Sequence, residues 1–285
     1  MTNIETKSES ISAADGARIA FIGGGNMASA ILGGLLGSGV APGAVDVVEP
    51  LAEARERLRR QYGVAAQAAP TESLARATLV VWAVKPQTFK EAARDVALHT
   101  RGALHLSVAA GIRSDSIATW LATERVVRAM PNTPALIQRG ITALFAREAV
   151  TPPERERAQQ VMASTGDCLW VDQEVQLDAV TALSGSGPAY VFYFVEAMTE
   201  AGVEMGLSAA QAKQLAVATF AGAAELARAS SEPTELLRQR VTSKGGTTHA
   251  AISLMEQHGV KALFMHAMRA AERRARELGD EFGAA

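Results

Sequence analysis

The chain holds a single cysteine, Cys168, among 285 residues. A lone thiol excludes an intrachain disulfide framework and suits a reducing compartment, so a cytoplasmic protein is expected. Aromatic residues make up only 5 %. That scarcity argues against an aromatic-rich β-sandwich, and the plentiful alanine and glycine point to helices and close backbone packing. Neither charge sign dominates: 28 Lys and Arg stand against 30 Asp and Glu, a formal net charge of −2. A balanced chain has no general attraction for nucleic acid or an anionic membrane surface. The five histidines (His99, His105, His249, His258 and His266) show no pairing at metal-ligand spacing, so no metal site is expected. The opening 17 residues are polar and lack an apolar signal-peptide core; residues 1–17 read as a disordered tail.

Hydrophobic residues at 48 % and charged residues at 20 % supply enough apolar surface for a folded core. At roughly 100–200 residues per domain, the length suggests about two domains, with one large domain as the alternative. No charge stands between Ile19 and Val45, and Gly33-x-x-x-Gly37 has the spacing of membrane helix dimers. The many glycines, Asn26, Ser29 and Pro42 break that run into a strand, a turn and a short helix, which disfavours a membrane span.

Strand-like runs occur at 18–22, 44–49, 63–65, 79–84, 104–108, 126–130, 141–145 and 168–171. Helical segments separate several of them, as at 50–62 and 89–98. Such alternation predicts βαβ units and a doubly wound sheet. The 79–84 run, LVVWAV, has no polar residue, as expected of a strand covered on both faces. Beyond residue 171 the chain reads as helices: 189–205, then 208–229 opened by the capping-box pattern Ser208-x-x-Gln211, then 249–257 and 260–278. Pro233 suits the first turn of another helix. The expected division is a dinucleotide-binding domain over 18–168 and a helical substrate and dimerisation domain over 169–285.

Gly23-x-Gly25-x-x-Ala28 follows a strand and opens a helix, the context that a dinucleotide fingerprint requires. The first glycine permits the tight turn, the second lets backbone approach a pyrophosphate, and Ala28 meets the need for a small third residue. Glu49 closes the next strand, where an acidic residue can accept from ribose hydroxyls and favour NAD; Arg55 and Arg57 follow it and suit a 2′-phosphate, so the cofactor preference stays open. Three further loops end strands: Ala83-Val84-Lys85-Pro86-Gln87, Ser107 to Gly111, and Arg128 to Pro134. Each is read either as simple punctuation or as part of one shared site at the carboxyl edge of the sheet. Ser184-Gly185-Ser186-Gly187-Pro188 and Val241 to Thr248 lie between helices. The amides of Gly246, Thr247 and Thr248 would point from a helix start and suit a carboxylate, with ordinary N-capping as the plain alternative. Cys168 reads as a small buried hydrophobe and Ser186 is not in a hydrolase elbow.

The segments FIGGGNMA, AVKPQ, SVAAGI, MPNTP, DAVTALSGSGPAY and VTSKGGTTHAAI resemble the pyrroline-5-carboxylate reductase family. SGSGPAY together with GGTT is the more specific pair. The resemblance implies a Rossmann domain, a helical domain interlocked with that of a second subunit, homodimers with larger rings of dimers, and reduction of L-1-pyrroline-5-carboxylate to L-proline by NADP(H) or NAD(H). It implies cofactor contacts at Ile22, Gly23, Gly24, Gly25, Asn26 and Met27, at Ala83, Val84, Lys85 and Pro86, and at Val108, Ala109 and Ala110. It implies substrate contacts at Thr247 and Thr248, with Glu174 a weaker match. Departures are Glu49-Pro50 after the second strand, Lys244 for the usual proline, and Arg240 for an asparagine. Because a protonated imine is already electrophilic, orientation counts for more than acid–base machinery. Thr248 is expected to hydrogen-bond the ring nitrogen, the Gly246–Thr248 amides to hold the carboxylate, and Ser184, Gly185 and Ser186 to form the pocket wall. The alternatives are another two-domain imine or β-hydroxyacid reductase and a non-catalytic NAD(P)-binding regulator. Against the first, 189–205 offers Glu196, Glu200 and Glu204 but no lysine.

Overall fold

The structure, a computed structural model, describes residues 18–283. The expected tail at 1–17 lies outside the described residues. The chain begins β1 (Arg18–Ile22), α1 (Asn26–Gly37), β2 (Val45–Val48), α2 (Ala52–Tyr62), β3 (Ala66–Gln67), β4 (Ala77–Trp82), α3 (Pro86–Val96), β5 (Leu104–Ser107), α4 (Ser114–Leu121) and β6 (Val126–Met130). It continues with β7 (Gly140–Ala146), α5 (Pro152–Ala163), β8 (Gly166–Trp170) and α6 (Gln176–Val180). A π-helical turn, Thr181–Gly185, follows α6. Then come α7 (Gly187–Glu204), α8 (Ala209–Ala229), α9 (Thr234–Arg240), α10 (Thr247–Gln257) and α11 (Val260–Gly283).

The eight strands form one sheet in the order β3-β2-β1-β4-β5-β6-β7-β8. The first six are parallel, with the order reversing between β1 and β4. Period-two alternation sends neighbouring side chains to opposite faces. Ile19, Phe21, Leu79 and Val81 join a core with Ile31 and Leu35 of α1, Leu58 of α2 and Val161 of α5. Ala20, Ile22, Val80 and Trp82 join a second core with Phe89 and Ala93 of α3 and Ile117 and Leu121 of α4. With both faces covered, β4 is apolar almost throughout, and its four last residues are all buried. The sheet departs from a wholly parallel one at its far edge. β7 runs antiparallel to β6, and β8 pairs parallel with β7. The β6–β7 link at 131–139 is too short for the crossover that a parallel neighbour needs.

Two compact units result. The sheet unit comprises residues 18–185 and 272–283, and the helical unit comprises 186–271. The sequence-based division at 168/169 marks the end of the last strand. The contacts carry the sheet unit further because α6, the π-helical turn and the end of α11 pack on it. In the helical unit, α8 opens with the expected capping box: the Gln211 amide donates to Ser208 Oγ at 3.3 Å and the Ser208 amide to Gln211 Oε1 at 3.0 Å. Pro233 stands one place before its expected position, as the N-cap residue of α9. Apolar residues remain exposed there, among them Phe192, Tyr193, Leu215 and Leu263. Among the described residues no helix is long and apolar enough to cross a membrane.

His105 sits in the middle of β5, 1 % exposed. Its Nδ1 accepts from Trp82 Nε1–H at 3.0 Å, and Trp82 stacks on Phe89 at 4.7 Å. Burial, opposed by a hydrogen bond with the Thr100 backbone, pulls the imidazole down to about 4 from its ordinary 6.5. A depressed histidine favours the neutral ring in the fold, so on acidification the unfolded chain binds the proton first. Its contribution is whole above pH 6.5 and fades toward pH 4, to a total on the order of 3 kcal/mol. Urea unfolding followed from pH 7 to 4.5 is therefore expected to show falling stability over that range. His105→Gln should flatten the slope while lowering stability at pH 7.

Candidate active site

The crevice opens where the strand order reverses, at the carboxyl ends of β1 and β4, the place at which open α/β sheets hold ligands. Gly23 has φ of +96°, and a Cβ there would meet the Ala83 carbonyl oxygen at 2.6 Å. Only glycine permits both the left-handed backbone and this approach. The 23–25 and 83–86 loops are thereby pressed together. Gly24 is closed in equally tightly: a Cβ would lie 2.8 Å from Leu58 and 3.2 Å from Glu49. Gly25 differs, because a Cβ there would meet nothing within 4 Å. It is the N-cap residue of α1, and no side chain caps that helix. The loop thus offers open space directly before uncapped first-turn amides and a positive dipole end, which fits a dinucleotide pyrophosphate. Ile22 and Ala28 are buried and back the loop from within the two cores, whereas Gly25 and Asn26 are exposed and Met27 is half-buried.

Glu49 follows the last residue of β2. It is 7 % exposed and turned beneath the glycine loop. One carboxylate oxygen accepts from the Gly24 amide at 2.7 Å, the other from the Leu51 amide at 2.8 Å. Glu49 thus braces the loop through both oxygens. Two arginines of α2 complete the brace. Arg57 Nη2 donates to the Gly24 carbonyl at 3.0 Å, and Arg55 Nη1 to the Glu49 carbonyl at 2.9 Å. A polar cleft of about 330 Å³ runs beside α1, between α2 and the turn after β6, with Asn26, Ser29, Arg57 and Gln138 on its walls. Ser29 is the buried hydroxyl without a hydrogen-bond partner among the described residues.

The other sheet-edge loops gather nearby. Ala83 is held by its amide on the Ile22 carbonyl at 2.8 Å, Lys85 is exposed, and Pro86 begins α3. Val108 is half-buried, Ala109 buried and Ala110 exposed. The Val108 amide donates to the Trp82 carbonyl at 3.0 Å, continuing the β4–β5 pairing into the loop. Gly185 ends the π-helical turn against Met130 of β6; a Cβ there would lie 2.6 Å from the Met130 methyl. Ser184 Oγ donates to the Val180 carbonyl at 3.1 Å. Ser186 is the N-cap residue of α7.

The Glu174 carboxylate accepts from the Ser114 amide, the Ser114 hydroxyl and Arg128. In the helical unit, Thr247 and Thr248 open α10, and Gly246 is its N-cap residue. The Gly246 amide donates to the Ser243 carbonyl at 3.0 Å, so it closes a turn and is not a free anion donor. Gly246 instead serves by its size, since a Cβ would lie 2.7 Å from Ser243 Oγ. No side chain caps α10, so the Thr247 and Thr248 amides remain available. Arg240 is paired with Glu232 at 2.6 Å and Lys244 is exposed. Burial raises the Cys168 thiol to about 11, so it carries no thiolate at neutral pH. Among the described residues no cluster of His, Cys, Asp and Glu is arranged to hold a metal ion. The partner of Arg128, a lone charge inside an otherwise apolar strand, is not legible in the sequence: it is Glu174, 46 residues on.

Comparison with known proteins covers both units. Residues 174–278 match the family described as pyrroline-5-carboxylate reductase dimerisation. Residues 18–111 match the family described as NADP oxidoreductase, coenzyme F420-dependent. A pyrroline-5-carboxylate reductase of Pseudomonas aeruginosa is 44 % identical over 93 % of this chain and 98 % of its own. A solved pyrroline-5-carboxylate reductase of Coxiella burnetii superposes with a TM-score of 0.86 at 37 % identity, covering 93 % of this chain and 99 % of that one. The Plasmodium falciparum pyrroline carboxylate reductase, solved with NADP bound, gives 0.82 at 26 % identity, covering 92 % and 98 %. The chain belongs to the pyrroline-5-carboxylate reductase family.

Proposed function

We propose that this chain reduces L-1-pyrroline-5-carboxylate to L-proline with NAD(P)H, the closing step of proline biosynthesis, in the cytoplasm. The observation that carries the reading is the glycine cradle at the switch point, in a chain whose likeness to reductases of this name spans both units. The Gly25, Asn26 and Met27 backbone would hold the pyrophosphate. Ala83 to Pro86 and Val108 to Ala110 would contact the cofactor further along the sheet edge. When bound, the dihydronicotinamide supplies a hydride, which adds to the imine carbon while the C=N π pair moves onto nitrogen. The protein's part is to orient and to solvate. The Thr247 and Thr248 amides and the α10 dipole would take the substrate carboxylate. Thr248 Oγ would hydrogen-bond the ring nitrogen and help keep it protonated. Ser184, Gly185 and Ser186 would wall the pocket. We further propose that the exposed apolar faces of the helical unit pair with a second copy of the chain, and that such dimers associate into rings.

The direct assay is oxidation of NADH or NADPH with and without pyrroline-5-carboxylate. Substrate-dependent oxidation is expected, and its absence with both cofactors would refute the proposal. Thr248→Ala should lower kcat by roughly tenfold to a thousandfold, the range for losing an oriented hydrogen-bonding group in the transition state. Wild-type turnover would remove Thr248 from the mechanism. Glu49→Ala should weaken NADH and NADPH binding alike, since it frees the Gly24 amide that positions the loop. A loss confined to NADH would show instead that Glu49 reads the ribose.

A further inference from the structure

Two ion pairs in the sheet unit take no part in the proposed chemistry, yet they flank the loop that leaves β5. In the first, the Ser114 amide and hydroxyl both donate to Glu174 at 2.6 Å, and Arg128 Nη1 donates to it at 2.7 Å. Glu174 therefore caps α4 and neutralises a guanidinium that is only 5 % exposed. In the second, Arg113 donates through both terminal nitrogens to the two oxygens of Asp178, at 3.1 and 2.9 Å. Asp178 is 4 % exposed. The two carboxylates stand one helical turn apart, on the approach to α6 and within it. α6 runs directly into the π-helical turn that ends at Ser184 and Gly185.

The last turns of α11 close the opposite side of the same loop. A Cβ on Gly111 would lie 3.2 Å from both Leu278 and Phe282. A Cβ on Gly279 would lie 2.8 Å from Arg113 Nε, so glycine lets the helix rest against the guanidinium. The loop's start is anchored too: the Ala109 amide donates to Ser107 Oγ at 3.3 Å. Residues 108–114 are thus held at both ends and from both sides.

Stability alone does not account for four such groups. Buried ion pairs are often matched by packed apolar residues of similar volume, and a broken pair strands a charge. A forked arginine–carboxylate pair adds directional precision that apolar packing lacks. We infer that Arg113, Arg128, Glu174 and Asp178 are positioning residues that hold the Val108–Ala110 backbone in place for hydride transfer. The inference rests on the proposal that this backbone contacts the cofactor. A displacement of about 1 Å in a reacting geometry can cost roughly a hundredfold in rate, while binding contacts elsewhere persist. The pairs therefore govern kcat and leave KM nearly unchanged.

The test uses the full chain carrying Asp178→Asn, Glu174→Gln or Gly279→Ala. Gly279→Ala keeps every charge and displaces the Arg113 fork sterically, so it serves if removing a buried charge prevents folding. Each variant is assayed with pyrroline-5-carboxylate and cofactor deuterated at the transferred position, and its melting temperature is recorded. The expected result is kcat lower by about tenfold to a hundredfold, KM values within about threefold of wild type, and a larger isotope effect. Folded variants with wild-type kcat and isotope effect would overturn the inference, as would a rise in cofactor KM that accounts for the whole loss. Ala109→Val separates the two layers of the argument. If it impairs turnover while the ion-pair variants do not, only the positioning role fails. If it too leaves kcat and cofactor affinity unchanged, the loop assignment fails with it.

Discussion

Parallel pairing of β1 with β4, from Ile19 against Leu79 to Ile22 against Trp82, brings two chain segments to one sheet edge with their carboxyl ends level. From there the chain continues to β2 on one side and β5 on the other, so their crossovers diverge and leave a crevice. The crevice is useful only because Gly23 allows the loop after β1 to lie on the Ala83 carbonyl. A side chain at that position would separate the two loops. On its other side the loop is held by Glu49 and Arg57, which bond the Gly24 amide and carbonyl.

Main chain, more than side chains, shapes this site. The amides at the start of α1 stand without a side-chain cap, open to a ligand. Carboxylates also peg backbone here. Glu49 holds Gly24 and Leu51, and Glu174 holds Ser114. An ionised carboxylate that accepts several amide or hydroxyl donors is a strong, directional anchor in a partly dry setting. A reaction that needs orientation more than proton shuttling is compatible with such a site, because the substrate arrives already electrophilic.

Much of this was legible in the chain itself. Strands at 18–22 and 126–130 were read with their observed bounds, and the capping pattern at Ser208 marked the start of α8. These features depend on local propensity and periodicity. The short helix α4 was not anticipated. Its first turn relies on a carboxylate 60 residues away, so no local pattern announces it. The antiparallel turn of β7 was likewise missed, because strand direction depends on the length of the preceding link and on the free edge it finds. Glu49 stands at the end of the second strand as its spacing predicts, but its bonds to the Gly24 and Leu51 amides are not legible in that spacing. Spacing locates a residue on its element, while the side-chain direction depends on what the fold brings beneath it.

The sequence by itself determined the glycine loop, the alternating sheet, the helical second half and the resemblance that named a family. Each is written in contiguous residues whose spacing has a direct physical meaning. Tertiary structure alone decided which backbone groups Glu49 and Glu174 hold, and that α6 and the end of α11 belong with the sheet. It also decided that Arg113 and Arg128 are neutralised by residues dozens of positions away. Those outcomes depend on burial, since a charge taken out of water must find its partner in space, and the chain order does not record which one it finds.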